Sequence, residues 1–174
     1  MSKPEARATA PKAIATTRIE NGKPKFVYVI YIAAPIEKVW QALTDPKMTE
    51  QYWFGYRLAS DWKVGSHYVV DKDGVPPFDK GIVLECDPPR RLSYTFKHEL
   101  FEELRGEPAT KVTFTIEPFE KVVKLTVTHE GFADGSKLLG AISNGWPAIL
   151  SGLKSLLETG HAPTIRPEAL GKIR

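Results

Sequence analysis

A stripe of apolar side chains near the C-terminus is the strongest periodic pattern in the chain. Between Gly135 and Thr159, large apolar residues recur at steps of three and four, which places them on one side of a helix. The pattern predicts one amphipathic helix of roughly 37 Å. The residues expected on its solvent side are Gly140, Ala141, Ser143, Ser151 and Lys154. So long a stripe needs a broad apolar surface beneath it.

Pro147 interrupts this predicted helix. A proline inside a helix removes one backbone hydrogen bond and clashes with the preceding turn. We therefore expect either a kink at Pro147 or a helix that restarts after Asn144 or Gly145, with Pro147 in its first turn.

The rest of the chain predicts strands and two short helices. Residues 26–32 are apolar on both faces, which indicates a strand well inside a sheet. Apolar residues at helical spacing predict a helix over 36–43, and 47–52 forms a second short helical segment. Six further strands are predicted at 56–60, 66–72, 79–86, 91–97, 110–117 and 121–129. The connection 98–109 is longer than a hairpin needs, so it is a candidate binding edge.

This order of elements predicts an α+β fold. The expected architecture is a curved antiparallel sheet of six to seven strands around a long C-terminal helix, with the two short helices closing one end. We expect one domain over 25–160, a disordered basic lead-in over 1–24 and a coil tail over 161–174.

Composition narrows the class of protein. The chain has 174 residues, of which 42% are hydrophobic and 26% charged, as in ordinary globular domains. No apolar run approaches the roughly 20 residues that a membrane-spanning helix needs, and the N-terminus lacks the apolar region of a secretory signal. A single cysteine, Cys86, excludes an internal disulfide. These features predict a cytoplasmic protein.

The net charge of +3 comes from the two ends of the chain. Residues 26–159 hold 15 Lys and Arg against 18 Asp and Glu, whereas both ends are basic. The predicted domain therefore offers no basic face for phosphates, and a nucleic acid partner is not expected.

Few residues carry a chemical signature. His67, His98, His129 and His161 lack the spacing of metal ligands, and no phosphate-binding glycine loop or nucleophile elbow occurs. We expect no metal and no cofactor. His129 is the one weak catalytic candidate, because it shares the buried face of its strand and could act as a general base. The favoured alternative is a histidine at the rim of the core, hydrogen-bonded to a backbone carbonyl.

Large aromatic side chains in the connections suggest a pocket. Trp53, Phe54 and Phe101 lie outside the predicted helices and strands, where core packing alone explains a large apolar side chain poorly. They are the candidates for a pocket mouth.

Six segments resemble one superfamily. They are 32–46, 60–66, 80–84, 87–92, 128–132 and 145–158. Together they resemble the START-like helix-grip (SRPBCC) domains, in the branch of the activators of heat-shock-protein-90 ATPase, over about 25–160. The resemblance implies a hydrophobic cavity between sheet and long helix. Members of this superfamily use that cavity to bind lipids, polyketides, flavonoid-like aromatics or hormones. Some relatives are cyclases or hydrolases, and the eukaryotic activators are co-chaperones.

Three functions follow as hypotheses. The favoured one is non-enzymatic binding of a small hydrophobic or aromatic ligand. The candidate ligand-binding residues are Trp53, Phe54, Tyr68, Phe96, Phe101, Phe114, His129, Leu139 and Trp146. The second is a cyclase or hydratase that uses His129 or a cavity tyrosine. The third is a protein-interaction module acting on a heat-shock chaperone ATPase. We expect a monomer or a homodimer.

Overall fold

The computed structural model describes residues 11–98 and 101–170, apart from the side chains of 78 and 79. The helices are α1 (Ile36–Thr44), α2 (Pro46–Tyr52) and α3 (Lys137–Thr159). The strands are β1 (Ile14–Glu20), β2 (Lys23–Ile32), β3 (Arg57–Ala59), β4 (His67–Lys72), β5 (Val75–Asp87), β6 (Arg91–Phe96), β7 (Thr110–Phe119) and β8 (Val122–Glu130). Two 3₁₀ turns follow, Glu102–Leu104 and Pro167–Leu170.

The strands form one curved sheet in the order β1-β2-β8-β7-β6-β5-β4-β3, and every neighbouring pair is antiparallel. The strict alternation of β8 buries Val123, Leu125 and Val127 on the face that carries the core. The predicted α+β fold, a curved sheet with a long C-terminal helix, is confirmed. The described residues hold eight strands, one more than the six to seven predicted.

The extra strand is β1, which lies in the segment predicted to be disordered. That prediction is wrong for 14–24, where β1 pairs with β2 from Ile14↔Val29 to Glu20↔Lys23. Residues 1–10 lie outside the described part. As an edge strand β1 is exposed at all but one position, so it carries no alternating apolar signal. The overlooked signal was Asn21-Gly22, whose positive φ values of 51° and 76° form the hairpin turn.

Asp45 separates the two short helices. Its backbone leaves the helical region after α1, and its side chain accepts a hydrogen bond from the Lys47 backbone N–H at 2.9 Å, which caps α2. Pro46 occupies the first position of α2, where a proline costs no hydrogen bond. The Tyr52 hydroxyl then donates to the Ala42 carbonyl at 2.7 Å. These bonds hold α1 and α2 together as one unit.

Helix α3 runs without interruption through Pro147, so the predicted restart is wrong. Trp146 and Ala148 to Leu150 are buried on either side of the proline, and their packing keeps this segment helical. Beyond Pro147 the helix packs tightly. A Cβ atom placed on Gly152 would lie 3.1 Å from Cβ of Tyr52, so α2 and α3 are in close contact there.

The ends of α3 are well capped. Ser136 accepts a hydrogen bond from the Leu139 backbone N–H, and Gly160 ends the helix with a φ of 81°. The Glu107 carboxylate accepts from the backbone N–H groups of Lys137 and Leu138 at 2.8 and 3.2 Å. This contact ties the connection 98–109 to the helix.

The C-terminal segment is only partly coil. Residues 161–166 are irregular as predicted, but Pro167–Leu170 forms a 3₁₀ turn, and 171–174 lie outside the described part. No helix among the described residues combines the length and the apolar character that crossing a membrane requires.

Candidate ligand cavity

A cavity of about 910 Å³ lies between the sheet and the N-terminal half of α3. Its sheet side comes from β3 to β6, and its helix side comes from residues 140–149. The lining residues are Trp53, Phe54, Tyr56, Leu58, Tyr68, Val70, Lys72, Lys80, Tyr94, Phe96, His98, Phe101, Gly140, Ala141, Ile142, Asn144, Gly145, Trp146, Ile149, Pro167, Glu168 and Leu170.

Small residues of α3 help to leave this space open. Gly140, Ala141 and Gly145 line the cavity, and nothing lies within 4 Å of where a Cβ would stand on either glycine. Gly140 is exposed, as predicted, and Ala141 is half-buried, but both also border the cavity, which was not predicted. In the second half of α3, by contrast, Leu150 and Leu153 are fully buried.

Six of the nine predicted ligand-binding residues line the cavity. They are Trp53, Phe54, Tyr68, Phe96, Phe101 and Trp146. The other three do not. Phe114 lies against the edge of Trp146 with ring centroids 5.6 Å apart, His129 is fully buried, and Leu139 packs on the core. Phe114 and His129 both pack against Trp146, which itself lines the cavity. That the six bind a ligand stays a prediction.

His129 belongs to a chain of hydrogen bonds in which both of its ring nitrogens have partners. The Trp146 indole N–H donates to its Nδ1 at 3.1 Å, and its Nε2 lies 2.6 Å from the Thr110 hydroxyl. Since an indole can only donate, Nδ1 accepts and Nε2 carries the proton. Thr110 in turn donates to the Phe96 carbonyl at 3.1 Å. Burial, with a smaller effect from Lys80, lowers the pKa of His129 to about 3.

This geometry argues against His129 as a general base. Both ring nitrogens have hydrogen-bond partners, and the ring is fully buried and outside the cavity lining. The alternative interpretation, a core histidine with satisfied nitrogens, fits better. Its partners are two side chains, however, and not the backbone carbonyl that was expected.

The cavity contains polar groups that the sequence analysis missed. The Lys80 side chain is buried, and its ammonium stands 4.2 Å from the centroid of the Phe96 ring. Lys72 donates to the Phe54 carbonyl at 2.8 Å beside the ring of Tyr56. Charged residues are ordinarily assigned to the outer face of a strand, so no pattern pointed to these two lysines.

Tyr94 places a second buried tyrosine beside Tyr68 in the cavity lining. It is in phase with Leu92 and Phe96 on the buried face of β6, so its position was predictable from alternation. Its ring packs on Tyr68 at 4.6 Å. Tyr68 donates a hydrogen bond to the Thr95 carbonyl at 2.9 Å. Burial raises the pKa of Tyr94 well above its usual range.

His98 lies where β6 runs into the connection 98–109. Its ring stacks on Phe101 with centroids 5.0 Å apart and planes 19° from parallel. Its Nδ1 is buried and has no hydrogen-bond partner among the described residues. Burial, followed by the charge of Lys80, lowers the pKa of His98 to about 3. The imidazole is therefore neutral at ordinary pH.

The C-terminal segment borders the cavity as well. Pro167, Glu168 and Leu170 belong to its lining, and the Glu168 carboxylate is close enough to Tyr56 to help raise the pKa of that hydroxyl, after burial. The described residues contain no group of three or more His, Cys, Asp and Glu side chains that could hold a metal ion.

Several solved structures share this architecture. CalU16 from Micromonospora echinospora is 20% identical, with a TM-score of 0.65 over 86% of this chain and 88% of that one. The protein MLL2253 from Mesorhizobium loti is 28% identical, with a TM-score of 0.62 over 76% and 96%. The Aha1 dimer from Colwellia psychrerythraea is 24% identical, with a TM-score of 0.63 over 78% and 97%.

No curated protein matches the chain significantly. Residues 33–158 do match a family model, that of the Activator of Hsp90 ATPase homolog 1-like proteins, over well more than half of the chain. The resemblance found in the six segments is thereby confirmed. The chain belongs to the family of Activator of Hsp90 ATPase homolog 1-like proteins.

Proposed function

We propose that the protein binds a small hydrophobic or aromatic ligand between its sheet and α3. The observation that carries this proposal is the cavity of about 910 Å³ beneath the N-terminal half of α3. Ligand sites in proteins span roughly 300–1,000 Å³ and combine apolar walls with a few polar groups. This cavity has that size and that composition.

The aromatic walls support a ligand with a flat ring. Trp53 meets Trp146 edge to face, with ring centroids 5.3 Å apart, and Phe96, Phe101 and His98 add further ring surfaces. Rings packed in this way favour stacked or edge-on contacts with another aromatic group.

Calorimetric titration of the full chain tests this proposal, because Trp53 itself would distort a fluorescence readout. A panel of fatty acids, flavonoids and polyketide-like aromatics should include a ligand that binds with micromolar affinity. Trp53→Ala and Phe101→Ala should weaken that binding. Phe119→Ala is the matched control, since this similarly exposed phenylalanine lies on β7 away from the cavity.

Two results would overturn the proposal. One is the absence of binding across the whole panel. The other is unchanged affinity in both cavity variants, which would place the binding site elsewhere.

A cyclase or hydratase activity is the second candidate, supported by Tyr94 and His98 at the cavity wall. Proton transfer is most effective when the pKa of the group lies near the working pH. Burial moves the pKa of both groups away from neutrality, upward for Tyr94 and downward for His98. The site therefore favours binding over proton transfer.

A chaperone-directed role is the third candidate, since the matching family is named for activators of the Hsp90 ATPase. Stimulation of a purified heat-shock chaperone ATPase by this protein would support it, and the absence of both stimulation and co-elution would exclude it. Cytoplasmic location and a monomeric or homodimeric state stay predictions.

A further inference from the structure

We propose that the open edge of the sheet, strand β1, pairs antiparallel with β1 of a second copy of this chain. The two eight-stranded sheets would then continue into each other across a two-fold axis. The proposed axis passes between Thr16 and its copy. No residue of β1 belongs to the cavity lining, so this inference does not depend on the proposed ligand binding.

The two edges of the sheet are not equally protected. At one edge β3 has only three residues and packs against α2, and its Leu58 backbone N–H donates to the Thr49 hydroxyl at 3.0 Å. At the other edge β1 runs for seven residues without a proline or a bulge. Among the described residues, the backbone of β1 pairs with β2 alone. A long open edge of this kind is a template for pairing with another strand.

Strand β1 also carries two large apolar side chains that one copy leaves in water. Ile14 is 57% exposed and Ile19 is 71% exposed. They point to opposite faces of the sheet, because an odd number of positions separates them. In the proposed pairing, Ile14 faces the aliphatic part of Arg18 of the other copy, and Ile19 faces Ala13. Removing this apolar surface from water in both copies favours association.

Charge complementarity identifies a second copy as the partner. With the axis at Thr16, Lys12 of each copy stands opposite Glu20 of the other, on the outer face of the sheet. Lys12 precedes β1 by two residues, so the pairing would extend the strand to include it. Opposite charges that face each other across two antiparallel strands stabilise the pair. The symmetric dimer contains this contact twice.

Glu20 can hold this second cation beside the one that it already contacts. One of its carboxylate oxygens accepts a hydrogen bond from Lys25 at 2.7 Å, on the side of β2. The Glu20 side chain is nevertheless 59% exposed, and a carboxylate has two oxygens that accept hydrogen bonds. Lys12 is exposed as well. The new contact therefore adds to the bond with Lys25 and does not replace it.

Other axes near the middle of β1 fit the charges less well. With the axis at Ala15, Arg18 would stand opposite Lys12, and with the axis at Arg18 the two copies of that residue would face each other. Like charges placed directly opposite destabilise a strand pair. With the axis at Thr17 no charged residues are paired. The axis at Thr16 therefore suits this sequence best.

Sedimentation velocity of the full chain over a range of concentrations tests the inference. A contact made by one pair of strands is small, so we expect a dimer that dissociates in the micromolar range. Thr16→Lys places two ammonium groups opposite each other at the axis and should weaken the dimer at least about tenfold. Lys63→Glu, a charge change at an exposed lysine between β3 and β4, is the control and should leave the dimer unchanged.

A charge exchange tests the register. Lys12→Glu alone and Glu20→Lys alone each place like charges opposite each other twice, so each variant should dimerise about tenfold more weakly than wild type. In an equal mixture of the two variants, both contacts of the mixed dimer become attractive. Association should then return to about the wild-type level.

Three results would overturn the inference. The first is a chain that stays monomeric at every concentration. The second is a dimer that Thr16→Lys leaves intact, which would place the interface on another surface. The third is a mixture of Lys12→Glu and Glu20→Lys that associates no better than either variant alone. If circular dichroism shows that Thr16→Lys does not fold, the mixing experiment decides.

Discussion

The Trp146 indole N–H donates a hydrogen bond to Nδ1 of His129 at 3.1 Å. This bond joins the middle of α3 to the end of β8. One side of Trp146 lines the cavity, while its indole nitrogen holds a fully buried histidine behind it. The back wall of the cavity is therefore fixed by a polar contact as well as by packing.

Trp146→Phe should destabilise the fold beyond the loss of ring volume. The variant leaves His129 Nδ1 buried without a donor, which typically costs about 1–3 kcal/mol. Urea unfolding measures the effect. Trp40→Phe is the control, because it makes the same ring truncation at a residue whose indole has no hydrogen bond to the described residues. If the two variants lose the same free energy of unfolding, the hydrogen bond between Trp146 and His129 contributes nothing to stability.

The free energy of unfolding should fall as the pH is lowered from about 6.5 towards 3. The pKa values of His98 and His129 are about 3 in the folded protein, against about 6.5 in an unfolded chain. In this window the unfolded state binds more protons, so acid favours unfolding, by up to about 1.4 kcal/mol per pH unit for each histidine.

Urea titrations at pH 7.5, 6 and 5 measure this slope. In the His129→Gln variant, unfolding should take up about one proton fewer, so the free energy of unfolding should depend less steeply on pH. His161→Gln, at an exposed position, serves as the control and should leave the slope unchanged. An unchanged slope in His129→Gln would mean that this histidine is not kept neutral by burial.

Glu107 should stabilise the start of α3. Its carboxylate accepts hydrogen bonds from two backbone N–H groups of the first turn, where the helix dipole also favours negative charge. Glu107→Ala should cost about 1–2 kcal/mol, as the loss of a helix cap does. Glu103→Ala, exposed on the same connection, should cost little. Hydrogen exchange in the first turn of α3 would locate the loss, and unchanged exchange there would contradict the assignment.

The C-terminal segment should slow ligand exchange. Pro167, Glu168 and Leu170 border the cavity, so a chain that ends after 164 should bind and release its ligand faster than the full chain. Stopped-flow mixing with the best-binding compound measures both rates. Arg166→Ala, at an exposed position outside the lining, is the control. Identical rates in the truncated and full chains would exclude this role.

Local sequence patterns determined the class of the fold. Periods of two and of three to four residues report which face of an element is buried, and this information is contained in each segment. The long helix, the two short helices and seven of the eight strands follow from it. The edge strand β1 did not, because a strand that buries nothing has no such pattern. Only its Asn21-Gly22 turn marked it.

The sequence predicted a cavity and six of its lining residues, but only the tertiary structure decided its extent and its polar groups. The size of a cavity depends on how completely the side chains of several elements fill the volume between them. No single segment of the sequence carries that information. Gly140 and Ala141 therefore border the cavity although their positions on the helix suggested solvent. Lys80 and His98 become functional candidates only when three-dimensional packing places a charge and an unsatisfied nitrogen at the same aromatic wall. The sequence determined the strands and helices that surround α3. Long-range packing determined which chemical groups line the cavity beneath it.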